Sequence, residues 1–369
     1  MMKNRLVIPL LAGSALSAAA LWLAFCNVAF NELWRYLGTI DYGWILPAAA
    51  LILLAFFLRA LRWQIILHQS GAISYWQAFH PLMIGCMMNC ILPARVGEFA
   101  RPLLIKKLCG IPMATGVSTV VAERLFDLLI LLLLFAILCE NISYPAAMSR
   151  SYFGFNLNGE LLISLVWGMV KLSVALLIFI ALLAIKITRE LIKRCLQKIA
   201  AGAQKLGPRI ESLAGTICNF SINIIHNFYL GLTLVKCPLR LCAAIGLTIM
   251  IWTISALSYW VWALGCPGIN LTIVELTSVL VVVYFFIALP SVPVFWGLWE
   301  AAGVFGLAFF GIAQREALGF TLKNHVVQIF PVICAGLISA LLTSVDFWRI
   351  SRSGQPADLR RASFKGALI

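Results

Sequence analysis

The sequence predicts an all-α integral membrane protein: a polytopic helical bundle built as an inverted repeat, with two proline-broken, re-entrant helical hairpins. Three observations predict it. The chain of 369 residues is 62% hydrophobic and 11% charged, with a mean hydropathy of +0.99, whereas soluble domains carry about 25% charged residues. Apolar runs of membrane-crossing length recur along it. Two of these runs break at proline beside charge: Pro93 precedes Gly97-Glu98, and Pro293 precedes Gly297 and Glu300.

The first run, Leu6 to Ala29, follows Met2-Lys3-Asn4-Arg5. Small residues at Ser17-Ala18-Ala19-Ala20 would suit signal cleavage, but the run is long for a signal and further spans follow, so it reads as a retained helix with its N-terminus inside. Asn31 to Tyr42 reads as a short outer loop. A second span, Trp44 to Leu67, ends in Arg59-x-x-Arg62-Trp63, which serves equally as a positive-inside anchor or as a contact for an acidic head group.

Residues 77–92 form an apolar arm that breaks at Pro93, and residues 95–108 follow as a polar one. Arg95, Glu98 and Arg101 recur every three residues and fall on one broad side of a helix. Such an arm cannot face lipid across a bilayer, so the hairpin is expected to enter from the cytoplasm and return there. The next span, Met113 to Cys139, carries Glu123-Arg124-Leu125-Phe126-Asp127. Its acids share a face, and charges at that depth should pair with each other or with the arginines of the hairpin.

Residues 140–160 read as an outer loop, Leu161 to Ile185 as a span carrying Lys171, and residues 186–240 as a basic cytoplasmic linker suited to anionic lipid. The second half then repeats the plan: a span at 241–264, an apolar arm at 271–289 ending in Pro290-Ser291-Val292-Pro293, a second arm at Val294 to Gly311, and a last span at 326–347. The domain reading is therefore one membrane domain over 1–348, with halves at 44–139 and 241–347, and a basic cytoplasmic tail at 349–369.

The net charge is +14, but its placement beside apolar spans argues for positive-inside topology and against nucleic-acid binding. The outer loops hold only Arg35, Arg150, Arg315 and Lys323, which puts both termini in the cytoplasm. The eleven cysteines include no Cys-x-x-Cys pair, and neither a metal site nor a disulfide framework is implied. No phosphate-binding loop of the Gly-x-x-x-x-Gly-Lys-Ser/Thr type occurs, so no cofactor and no ATP drive are indicated.

One half starts outside and the other inside, an inverted repeat of the kind transporters use to place a site near the midplane. In that arrangement the helix N-termini near Arg95 and Gly297 point inward and favour an anion. Arg95 and Arg101 add paired contacts for phosphate oxygens. Glu98, Glu123, Asp127 and Glu300 hold these arginines, bind an amino-bearing head group or carry a coupled proton; the bland alternative is that they only neutralise structural arginines.

These motifs together, Arg59-x-x-Arg62-Trp63, Asn89-x-x-Leu92-Pro93-x-Arg95-x-Gly97-Glu98-x-x-Arg101, Glu123-Arg124-x-x-Asp127 and Pro290-x-x-Pro293-x-x-x-Gly297-x-x-Glu300, resemble the flippase-like transmembrane family. That family includes the membrane region of lysylphosphatidylglycerol synthase, the multiple peptide resistance factor, and proteins associated with hopanoid transport. The resemblance covers about residues 6–350. It departs at the second break, where Val294-Phe295-Trp296 intervene before the glycine, and no aminoacyl-transferase domain is expected after residue 369, so synthase activity is not carried over.

The resemblance implies an inner-membrane protein of a bacterium that flips an anionic or aminoacylated lipid (phospholipid, hopanoid or polyprenyl type) between leaflets, and not an enzyme. The expected substrate-binding set is Arg59, Arg62, Asn89, Arg95, Glu98, Arg101, Glu123, Arg124, Asp127 and Glu300. Membrane lipids are the expected partners; a homo-oligomer and a lipid-modifying enzyme partner stay open. Two rivals stand beside this reading: a transferase acting on a lipid-linked phosphate, with Asp127 or Glu123 as base, and a scaffold whose charges are structural.

Overall fold

The computed structural model describes residues 3–26, 28–68, 71–92, 95–141, 150–152, 155–157, 186–202, 237–288 and 292–343, with isolated positions between 167 and 222. It is a helical membrane bundle, as the apolar runs predict. Helix α1 spans Lys3–Phe25, α2 Phe30–Leu37, α3 Ile45–Leu67, α4 Tyr75–Ile91, α5 Val96–Cys109 and α6 Met113–Asn141. Helix α7 spans Lys186–Gly202, α8 Pro238–Ala263, α9 Ile273–Ile287, α10 Leu298–Ala308 and α11 Gln314–Leu342. A small hairpin pairs β1 (Arg150–Tyr152) with β2 (Phe155–Leu157) in antiparallel fashion.

The segments Tyr42–Leu67, Pro238–Ala263 and Gln314–Leu342 are long and apolar enough to cross a bilayer. The hairpin arms are shorter. Helices α5, α9 and α10 have 14, 15 and 11 residues, or about 21, 22 and 17 Å at the helical rise, against a hydrocarbon core of about 30 Å.

Each hairpin is started by a capping box at the head of its first arm. At α4, Gln77 N–H donates to Ser74 Oγ at 3.4 Å and Ser74 N–H donates to Gln77 Oε1 at 2.8 Å. At α9, Glu275 N–H donates to Thr272 Oγ1 at 3.3 Å and Thr272 N–H donates to Glu275 Oε2 at 2.7 Å. Each box satisfies two otherwise orphaned backbone donors.

The packing has an internal symmetry. Helix α3 lies along α8; α4 packs on α5 as α9 packs on α10; α5 meets α6 as α10 meets α11; and α4 rests on α11 as α9 rests on α6. Exchanging α3–α6 with α8–α11 returns the same set of pairs. Helix α1 packs on α10, and α2 on α11.

The stretches around residues 32–41, residues 265–267 and Arg315 gather at one end, while most of the expected loop at 140–160 lies outside the described residues. Asp41 N–H donates to the Gly265 carbonyl at 2.8 Å, Tyr36 Oη–H donates to the Pro267 carbonyl at 2.9 Å, and Arg315 lies 3.9 Å from Glu32. Part of the expected loop at Asn31 to Tyr42 is instead helical: α2 buries Leu33 and Tyr36 against the core while Glu32 and Arg35 stay outside. Within the basic linker α7 is helical and amphipathic, with Ile187 and Leu191 exposed. Most of the expected span at 161–185, most of 203–236, and the tail at 349–369 lie outside the described residues.

A candidate anion pocket between two helix breaks

The first break ends at Arg95, which caps α5 in the left-handed conformation with φ 53°. From there its guanidinium reaches across to the second break. Arg95 donates to the Ile287 carbonyl at the end of α9 and lies 5.8 Å from the centre of the Phe295 ring. At the second break Val294 and Phe295 are also left-handed, both with φ 61°. A β-branched residue there costs on the order of 1–3 kcal/mol, a strain that surrounding contacts must hold. The two tips therefore touch inside the bundle.

Glycine serves the two breaks differently. Gly297 has φ 89° and sits on the Ser17 carbonyl of α1, so it supplies both a turn and a close approach. Gly97 is an ordinary helical residue. A Cβ on it would overlap the Gly85 carbonyl, and one on Gly85 would meet the Arg101 side chain. Gly97 and Gly85 thus allow α4 and α5 to cross in contact. Glycine therefore frees the turn at the second break and allows a close helix crossing at the first.

Between the tips lies a cavity of about 340 Å³, lined on its polar side by Arg59, Asn89, Arg95, Glu98, Arg124 and Asp127. Its other wall is apolar, with Ile52, Leu131, Phe285 and Val332 among the lining side chains. Asp127 accepts from Arg62 Nη1 at 2.7 Å and from Arg62 Nη2 at 3.2 Å, and lies 3.9 Å from Arg59 and 3.8 Å from Arg124. Glu98 lies 3.6 Å from Arg95 and 3.7 Å from Arg124. Arg59 also rests over the rings of Phe56 and Trp252, at 5.4 and 5.5 Å.

Arg62, Arg101 and Glu123 form a second layer behind this wall and are fully buried. Arg101 donates to Glu123 at 2.6 Å and stacks over Trp63 at 4.3 Å. Arg62 lies 3.5 Å from Glu123 and donates to Thr248 Oγ1 at 2.9 Å. The three do not line the cavity: buried between α3, α5, α6 and α8, they brace its wall. The three-residue recurrence of Arg95, Glu98 and Arg101 does not put them on one working face, because Arg95 stands at the cap and Arg101 faces the α4 and α6 side.

Across the two layers five guanidinium groups meet three carboxylates, an excess of two positive charges. In a low-dielectric site an uncompensated cation is costly unless an anion joins it. Among the described residues the Nε of Arg59 and the Oδ1 of Asn89 are buried with no hydrogen-bond partner.

Glu300 stands apart from the arginines. It accepts from Gly297 N–H at 2.7 Å and contacts His325 Nδ1 at 2.6 Å, and both side chains are buried. His325 Nε2 lies 2.7 Å from the Val294 carbonyl, to which it donates. The imidazole stacks on Trp299 at 4.7 Å with an interplanar angle of 4°, and Trp296 packs at 4.8 Å. His325 was missed in the sequence because it stands alone at the edge of the span expected at 326–347 and twenty-five residues beyond its partner. Nothing in local spacing signals such a pair.

A polytopic helical membrane bundle with a charged, arginine-rich cavity between two helix breaks is the class defined by this fold and site. The chain matches the family described as the lysylphosphatidylglycerol synthase TM region over residues 10–336, and it belongs to that family. It is also similar to a curated protein of Haloferax volcanii named glycosyltransferase AglD, at 28% identity over 127 residues. That match covers 33% of this chain and 20% of the relative, so the chain spans about a fifth of the length of the curated protein it matches. No solved structure matches.

Proposed function

We propose that this protein moves an anionic lipid between the leaflets of a bacterial inner membrane as a transporter rather than an enzyme. The observation that carries the reading is the uncompensated positive charge of a cavity held between two helix breaks. Arg59, Arg95 and Arg124 line the polar side and present guanidinium groups suited to phosphate oxygens. The apolar wall offers a path for the acyl or prenyl chain. The exchange symmetry of the packing supports an inverted repeat whose hairpins enter from opposite faces, the build that opens one site alternately to two sides. The short arms and clustered outer loops support the re-entrant topology with cytoplasmic termini.

The test is leaflet exchange in reconstituted vesicles. A fluorescent phosphatidylglycerol probe should cross faster than its phosphatidylcholine counterpart. Losing charge-assisted hydrogen bonds in Arg59→Gln combined with Arg124→Gln should slow the anionic probe about ten- to a hundredfold. An unchanged rate in a folded double variant removes the pocket from the reading.

A second reading, a transferase on a lipid-linked phosphate, draws on the name of the archaeal relative. Against it, Glu98, Glu123 and Asp127 are each held by arginines, which leaves none of the three poised as a base. Turnover of a polyprenyl-phosphate sugar by purified protein, lost in Asp127→Asn, would favour it.

A further inference from the structure

The Glu300–His325 pair takes no part in the charge pattern of the cavity, yet it holds the turn that carries Val294 and Phe295, two of the three non-glycine residues with positive φ among the described residues. We propose that this pair is a proton-binding latch: with its proton present it closes the second break over Arg95, and loss of the proton releases the turn. The latch itself stands on geometry alone; its use as a coupling device rests on the transport reading above.

The proton count follows from the contacts. A carbonyl only accepts, so His325 Nε2 carries a hydrogen and donates to Val294 O at 2.7 Å. Nδ1 and Glu300 Oε1 stand 2.6 Å apart, a separation that requires one proton between them. Gly297 N–H takes the remaining oxygen at 2.7 Å. With that proton the pair is neutral as a unit. Without it, a buried carboxylate faces the lone pair of Nδ1, and the Nε2–H bond to Val294 loses its charge assistance.

The ring cannot turn away, because Trp299 and Trp296 pack against it. What can yield is the turn. Val294 and Phe295 sit at φ 61° and gain by relaxing. Phe295 is the ring beside Arg95, so relaxation uncovers the guanidinium that faces the anion pocket. Proton occupancy and anion occupancy then affect one another reciprocally.

The surroundings hold few competing groups. From α8 and α9 the titratable neighbours of Trp299 are Tyr259 and Tyr284, with which it lines cavities. From α4, which packs on the turn, Cys86 and Cys90 line the same cavity as Trp299 and Phe295. From α1 the neutral Ser17 meets the turn, accepting from Val292 N–H at 3.2 Å. Arg95 is the charge beyond Phe295. Among the described residues neither Glu300 nor His325 forms an ion pair with any other side chain.

The experiment is hydrogen exchange of residues 292–300 in the purified full-length protein, expressed as protection so that the intrinsic pH dependence cancels. Protection in the wild type should fall about tenfold or more between about pH 5.5 and about pH 8.5, while segments of α3 and α8 stay constant. Glu300→Gln supplies an amide donor to Nδ1 and an acceptor to Gly297 N–H but no titrating proton. Its protection should stay high and change less than about twofold over the same range. His325→Gln, which keeps a donor toward Val294, serves where the first variant does not fold, and it should also lose the pH dependence. Constant wild-type protection, or a full fall retained in both variants, overturns the latch. Absence of leaflet exchange at every pH alongside a pH-dependent latch sinks the transport reading and leaves the latch standing.

Discussion

Asp127 is where the cost of the intramembrane charges is concentrated. It accepts two hydrogen bonds from a fully buried Arg62 and also faces Arg59 and Arg124. Removing one partner from a buried ion pair costs about 3–5 kcal/mol, because the other charge is left uncompensated. Asp127→Asn should therefore lower thermal stability in detergent by that order, read from the unfolding midpoint. Arg124 keeps 44% of its side chain accessible and touches its acids only at 3.7 and 3.8 Å. Arg124→Gln alone should cost less than about 1 kcal/mol, so a loss of anion transport in that variant reports the pocket and not the fold. At this scale the sequence was informative about which charges meet, since arginines and acids stranded in apolar runs have few alternatives. It was not informative about depth. Arg59 and Arg62 are one turn apart, yet one lines the cavity and the other lies behind it, a difference set by how α8 packs on α3.

Among the elements, the α4–α5 hairpin depends on two residues without side chains. Gly97→Ala would drive a methyl group into the Gly85 carbonyl, where backbone cannot yield as a side chain can. Overpacking of this kind costs about 1–3 kcal/mol or more. The variant should show a lowered unfolding midpoint and faster proteolysis within residues 92–112, whereas Gly110→Asn, at the left-handed C-cap of α5 with open space around it, should be nearly neutral. The hairpins themselves were legible from proline and glycine; their starts carry a signal that the apolar runs alone pass over, since Ser74-x-x-Gln77 and Thr272-x-x-Glu275 are capping-box spellings at matching places in the two halves. Helix α2 was hidden because an eight-residue segment with Glu32 and Arg35 looks like a loop until Leu33 and Tyr36 have a core to enter. The left-handed residues were hidden too. Arg95, Val294 and Phe295 are unusual choices for positive φ, and only tertiary contacts hold them there.

For the molecule as a whole, the charge pattern along the chain cannot distinguish hairpins that cross the bilayer from hairpins that turn back within it, since either kind returns its ends to one side. The packing bears directly on this point. The ends of the second hairpin, near Thr272 and Gly311, adjoin the cluster made by Asp41, Gly265 and Glu316, while its tip reaches Arg95 at the tip of the first. Tips that meet each other cannot also stand in water on opposite faces. Leu92 and Trp296 lie at the two tips and are partly exposed, so cysteines placed there in a background without the native thiols report on tip depth. A bulky, membrane-impermeant maleimide should fail to label either cysteine from either side of intact vesicles, while a small permeant maleimide labels both. Thr39→Cys and Arg315→Cys should react with the bulky reagent from the outer side, and His68→Cys only after permeabilisation. Labelling of Leu92→Cys by the bulky reagent from outside would mean that the first hairpin crosses. The anion pocket would then be open to water on one face, and the pairing of Arg95 with the second break would have to be given up along with it.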